Sequence, residues 1–210
     1  MTAAAQPTRL RILEAARRLF HEQGYHATAI ATILREADVN SGSLYHFFPS
    51  KEALLTGVLE HYVTLLRPMV MGPAEAAAAD PIERVFALLR FYREGLERAG
   101  CRVGCPIGNL ALEVADDLPE ARKLIDLNFG NWAKAVRRWL DDAGDRLPAD
   151  VDRERLARFV LTVMEGAIMQ SRASGSLEPF DASVAELRAY FDRLVADAPG
   201  ARRQSRRSRE

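Results

Sequence analysis

The sequence predicts an all-α fold of nine helices. Apolar residues recur at the 3.6-residue period along almost the whole chain. No segment alternates apolar and polar residues for long, and strand-like runs of Val, Ile and Thr are missing. Start and stop residues punctuate the periodic stretches where helices should begin and end.

Leu10, Leu13, Ala16 and Phe20 predict a first helix over about 8–22, closed by Gly24. Thr28 is placed to cap a second, carrying Ile30, Ile33, Leu34 and Ala37. Ser41 to Phe47 makes a short third. Pro49-Ser50 breaks it, and Ser50 caps a fourth that ends near Leu66. Residues 71–80 read as a connection with some helical character. Asp80-Pro81-Ile82-Glu83 is a strong start: Asp80 caps, Pro81 sits in the first turn, and Glu83 reaches back. That fifth helix runs to about Ala99, before Gly100. The sixth covers Pro106 to about Ala115 and the seventh Pro119 to Asp142. After the loop "GDRLPAD" come an eighth, Asp150–Ser174, ended by Gly175, and a ninth, Asp181–Ala196.

The chain of 210 residues, 48% apolar and 28% charged, suits a soluble globular protein with one large or two small domains. No apolar run reaches about 18 residues. "MTAAAQPTRLR" is not a secretory signal, so a cytoplasmic protein is expected. Two cysteines, Cys101 and Cys105, are too few for a disulfide framework and fit a reducing compartment. His21, His26, His46 and His61 have no companion cysteine, so neither metal nor cofactor is expected.

Charge is distributed unevenly behind a net value of zero. Residues 1–60 carry six Lys/Arg and six Asp/Glu, whereas 61–200 carry eighteen and twenty-two. The end, "ARRQSRRSRE", holds five Arg against one Glu and reads as a basic disordered tail over 199–210. It is either a source of nonspecific phosphate affinity or a solvated end with no role.

Only "ADVN" separates the second and third helices, too little for antiparallel packing. That spacing fits a helix-turn-helix, which sets its second helix into a DNA major groove. In "NSGSLYHFFPSK" (40–51) Asn40 is a natural cap, and Ser41, Gly42 and Ser43 form the first turn, which reaches base edges in such a motif. Leu44, Phe47 and Phe48 are spaced to face inward. Tyr45 and His46 are left outside for phosphate or base. Lys51 and Thr28 stand at helix starts, where N–H groups favour an anion. Arg9, Arg11 and Arg35 are further phosphate candidates. The plain alternative is a small capped helix in a helical core.

"ILEAARRLFHEQGYHATAIATILREADVNSGSLYHFFPSKEALL" resembles the tetracycline-repressor (TetR) family. The specific pieces are Ala15-Ala16 through Phe20, Gly24-Tyr25, Thr28 and the block "GSLYHFFPSKEAL". The resemblance implies a homodimeric transcription regulator, usually a repressor, that binds a palindromic operator and is released by a small-molecule effector. It assigns DNA contact to Thr28, Asn40, Ser41, Gly42, Ser43, Tyr45, His46 and Lys51. Asp38 stands where the family usually has Gly in the turn, and Leu34 where it usually has a small residue. Asp tolerates the left-handed conformation better than most residues, so the turn should survive.

The domains expected are a helix-turn-helix over 1–50, with helix four (about 50–70) as connector, and a ligand-binding and dimerisation domain over 51–198. Apolar stripes on helices eight (Leu156, Phe159, Val160, Val163, Ala167, Ile168) and nine (Val184, Leu187, Phe191, Leu194, Val195) are expected to form the dimer surface. The pocket candidates are Phe86, Phe91, Cys105, Asn109, Glu113, Phe129, Trp132, Met164, Met169 and Gln170. Asn109 and Glu113, four apart, share a helix face and would be its polar handle. "CRVGCPIGNLALE" (101–113) resembles the GCP-x-G-x-x-A-x-E pattern of a subgroup typified by the LmrA and YxaF regulators. Cys105, at a helix start, leaves two readings open: a thiol or electrophile sensor with Cys101, or a buried structural cysteine. A helical thiol enzyme would need a base, and no His follows residue 61, so no enzyme is expected.

Overall fold

A computed structural model describes residues 7–198; the basic tail expected over 199–210 lies outside them. Nine helices run through the described residues, with no strand: α1 (Thr8–Gln23), α2 (Ile30–Ala37), α3 (Ser41–Phe47), α4 (Lys51–Leu66), α5 (Pro81–Arg98), α6 (Pro106–Val114), α7 (Pro119–Asp142), α8 (Arg153–Ser174) and α9 (Glu178–Asp197). α4 does not stop where its apolar pattern fades. It continues through a π-helical stretch, Arg67–Met71, into a short α segment, Gly72–Ala77. Pro68 and Pro73 each lack the N–H that an α-turn needs, and a π turn lets the rod continue past such a fault.

Capping chemistry decides most helix ends. Ser50 Oγ accepts from Ala53 N at 3.0 Å, and Asp80 Oδ1 accepts from Ile82 N and Glu83 N at 2.8 and 3.1 Å. Glu83 does not reach back; its carboxylate pairs with Arg188 instead. α8 begins at Arg153 because Asp152, not Asp150, is the cap. α9 starts three residues before the expected Asp181, where Ser176 Oγ accepts from Glu178 N and Pro179 occupies the first turn.

The chain divides into two compact units. The first joins the described residues up to Leu65 with Cys105–Phe129. Here α1 packs on α2, α3 and α6 around Ile12, Leu13, Phe20, Ile33, Leu44 and Leu110. Gly57 on α4 is a point of close approach: a Cβ there would lie 2.8 Å from Phe48 Cε1 and 3.2 Å from Leu13 Cδ2. His61 Nε2 lies 2.8 Å from Glu14 Oε1, tying α4 to α1. The second unit holds Leu66–Gly104 and the described residues from Gly130 onward. In it α9 packs against α8 and α5. Arg188 covers the Phe86 ring at 3.2 Å while pairing with Glu83, and Arg93 forks onto Asp181 at 2.7 and 3.0 Å.

Candidate nucleic-acid interface

The turn into α3 rests on two residues. Asp38 adopts φ 51°, ψ 57°, the left-handed conformation that the turn demands. Asn40 is extended, and its Oδ1 accepts from Ser43 N at 2.8 Å. Leu44 is fully buried and pins the helix to the core. Around it Ser41, Gly42, Tyr45 and His46 are exposed and Ser43 is half-buried. Tyr45, at 51% exposure, is one of the most exposed large side chains of this unit. α3 therefore presents hydroxyls, a phenol and an imidazole on one open surface.

Phe47 departs from the expectation. It is 38% exposed and stands edge-on to His46, with ring centroids 4.9 Å apart. Phe48 is buried in its place, because the chain is already extended there (φ −137°, ψ 98°). An extended residue directs its side chain away from the helical one before it.

Thr28 also departs. It is completely buried, and its hydroxyl donates to Gly24 O at 2.6 Å. The cap position of α2 belongs to Ala29, which makes no side-chain bond. Lys51 is half-buried; its ammonium sits 4.5 Å from the Tyr25 ring centre and donates to His26 O at 3.4 Å. Burial pulls its pKa below the ordinary lysine value, against the opposing pull of Glu113. Arg9 and Arg11 lie in the first turn of α1 rather than in an extended arm. Arg9 is over Phe48 at 5.2 Å, Arg11 is 3.9 Å from Asp38, and Arg35 is exposed.

The pocket candidates fall into both units. Cys105 is buried and caps α6, its Sγ accepting from Gly108 N at 3.4 Å. Asn109 and Phe129 are half-buried. Glu113 is not a handle held open for a ligand: its carboxylate accepts from Tyr25 N at 2.8 Å and His26 N at 2.6 Å. In the second unit Phe86, Trp132 and Met164 are buried, and Phe91 is half-buried. Met169 is 58% exposed, which removes it from any enclosed cavity. Gln170 is exposed too, in an open groove of about 850 Å³ between α8 and α9. Cys101, with φ 57°, is buried, and neither cysteine forms a disulfide.

The role of Glu113 escaped sequence reasoning. The signal available was Gly24-Tyr25 after α1, a turn able to aim successive N–H groups at one anion. Its partner lies 88 residues away.

Residues 12–58 match the model of bacterial regulatory proteins of the tetR family, and 81–186 match the C-terminal domain of LmrA/YxaF-like transcriptional regulators. The chain belongs to the TetR family. It is a helix-turn-helix transcriptional regulator. This TetR-family chain is 31% identical over 198 residues to the uncharacterized HTH-type regulator Rv0196 of Mycobacterium tuberculosis, covering 92% of this chain and 97% of that one. It is 27% identical over 180 residues to the HTH-type transcriptional repressor DhaR of a Mycobacterium species, covering 85% and 89%. Among solved structures, a regulatory protein TetR from Rhodobacter sphaeroides superposes with a TM-score of 0.78 at 26% identity, covering 89% of this chain and 98% of that one. No described helix of this TetR regulator is long and apolar enough to cross a membrane.

Proposed function

We propose that this regulator binds a palindromic operator as a homodimer, represses, and is released by a small molecule. The observation that carries the reading is the open face of α3, where Ser41, Gly42, Tyr45 and His46 are exposed around a buried Leu44. In this reading the first turn, Ser41–Ser43, meets base edges and Tyr45 and His46 meet phosphate or base. Asn40 holds the turn through its cap. Thr28 and Lys51 act through the protein rather than as open phosphate contacts. Dimerisation through α8 and α9 is supported by exposed Phe159 and Tyr190, 47% and 38%, flanking the groove between those helices. A two-fold axis would set the two α3 helices about 34–36 Å apart. Repression is favoured by the likeness to DhaR.

A gel-shift titration against the DNA flanking the protein's own gene tests the reading. A sequence-specific shift, weakened about tenfold by Tyr45→Ala, is the expected result. No shift with any flanking fragment would count against it. Thiol sensing through Cys101 and Cys105 is not favoured, because both thiols are buried.

A further inference from the structure

We propose that Glu113 is a positioning residue: it latches α6 onto the turn between α1 and α2 and so holds the helix-turn-helix in its DNA-binding arrangement. The proposal rests on the DNA-binding reading above.

The geometry starts at Gly24. Its φ of 88° turns the chain so that the next two amides, Tyr25 and His26, point the same way. Two such N–H groups form a small anion-binding concavity. Glu113 fills it with both oxygens, at 2.8 and 2.6 Å, and charge on the acceptor strengthens both bonds. The fit is close, since a Cβ at Gly24 would lie 3.1 Å from either oxygen. The neighbourhood closes around this pair. His26 Nε2 is 3.3 Å from Glu113 O, and Lys51 reaches His26 O from the start of α4.

The turn is also braced from within its own unit: Tyr25 is buried edge-on to Phe20, with ring centroids 5.3 Å apart, and Lys51 lies over the Tyr25 ring. α2 begins at Ile30 without a side-chain cap; its first turn is held by the Ala29 carbonyl, which accepts from Thr32 N and Ile33 N at 3.0 and 3.3 Å. Inside the turn, the Thr28 hydroxyl bonds Gly24 O, and Thr28 N bonds Tyr25 O at 3.3 Å. The segment 24–28 is thereby one knot, and α2 leads directly out of it. Gripping the knot fixes where α2 starts, and α3 follows after a three-residue turn, Asp38–Asn40. Glu113 lies one helical turn from Asn109 on α6, so a displacement of α6 would be passed to the knot through these two charge-assisted hydrogen bonds.

The test uses full-length protein and a duplex enriched from a random-sequence pool by the wild type. In Glu113→Ala the Tyr25 and His26 amides should exchange with solvent at least about tenfold faster, and Kd for the duplex should rise on the order of tenfold. The slope of log K against log salt should stay at the wild-type value, because the phosphate contacts remain. Glu113→Gln, which keeps one good acceptor, should fall between the two. Unchanged Kd with both amides deprotected would overturn the proposal. So would a Kd that worsens only as protection falls throughout α1–α4, which would mean general destabilisation. Should the alanine variant fail to fold, the glutamine variant decides alone: wild-type exchange and affinity in it would overturn the latch. A pool that enriches no sequence defeats the DNA-binding reading and the coupling with it. Amide protection in the wild type then still reports separately whether the carboxylate holds the turn.

Discussion

The hydroxyl of Thr28 is buried and donates to Gly24 O at 2.6 Å. Threonine suits a phosphate contact, but its type and position in the chain do not reveal which way the hydroxyl points. The bond holds the turn rather than a nucleotide. Thr28→Val keeps the shape and removes the donor, leaving the part-buried Gly24 carbonyl with one partner fewer. Urea denaturation should show a loss of about 1–2 kcal/mol. A variant as stable as the wild type would contradict this placement. Phe47 and Phe48 teach a related lesson. Periodicity reads both as inward, yet α3 ends between them, and a helical rule applied one residue too far assigns the wrong ring to the core. Asn40 and Asp38 were legible because their tasks are local: a short acceptor before a helix, and a left-handed turn that Asp accepts.

Helices were legible wherever their ends depend on neighbouring residues. Ser50, Asp80 and Gly175 act within a few positions of themselves, and the structure uses each as an end signal. The extension of α4 was legible only as some helical character over 71–80, because Pro68 and Pro73 normally stop a helix, and here a π turn carries the backbone on. Glu83 shows a local signal losing to a distant partner. Its hydrogen bonds to Arg188 hold the carboxyl below its ordinary value of 4.5, against the opposing effect of burial. A folded pKa below the unfolded one means stability that is complete above about pH 4.5 and is lost as pH falls through the folded value. Chemical denaturation midpoints followed down through that window should therefore drop less steeply for Glu83→Gln than for the wild type. Equal slopes would show that the pair does not contribute.

At the scale of the molecule, the family was legible from one dense block, "GSLYHFFPSKEAL", while the contacts that organise each unit were not. Glu113 meets Tyr25 across 88 residues and Arg188 meets Glu83 across 105; no periodicity or spacing rule spans such distances. The ten pocket candidates suffered from the same limit, since an apolar residue on a helix reads alike whether it lines a cavity, fills a core or faces solvent. Dimerisation belongs to this scale. Phe159 and Tyr190 pack edge to face, with ring centroids 5.9 Å apart, yet both stay exposed. Phe159→Asp should shift sedimentation from dimer to monomer and abolish the gel shift while leaving helix content unchanged. A dimer that persists would place the interface elsewhere.

The missing methyl at Gly57 sets two properties against each other. Glycine within a helix costs about 1 kcal/mol relative to alanine, so Gly57→Ala should strengthen α4 taken alone. The new carbon would meet Phe48 at 2.8 Å, however, and Phe48 is the ring that anchors the end of α3. Pushing it outward is expected to tilt α3 without altering any of the residues proposed to meet DNA. Gly57→Ala is thus expected to melt within a few degrees of the wild type and to bind its operator more weakly, as measured by calorimetry and fluorescence anisotropy on one sample. A hydrogen atom at this position leaves the space in which Phe48, and with it the end of α3, keeps its place.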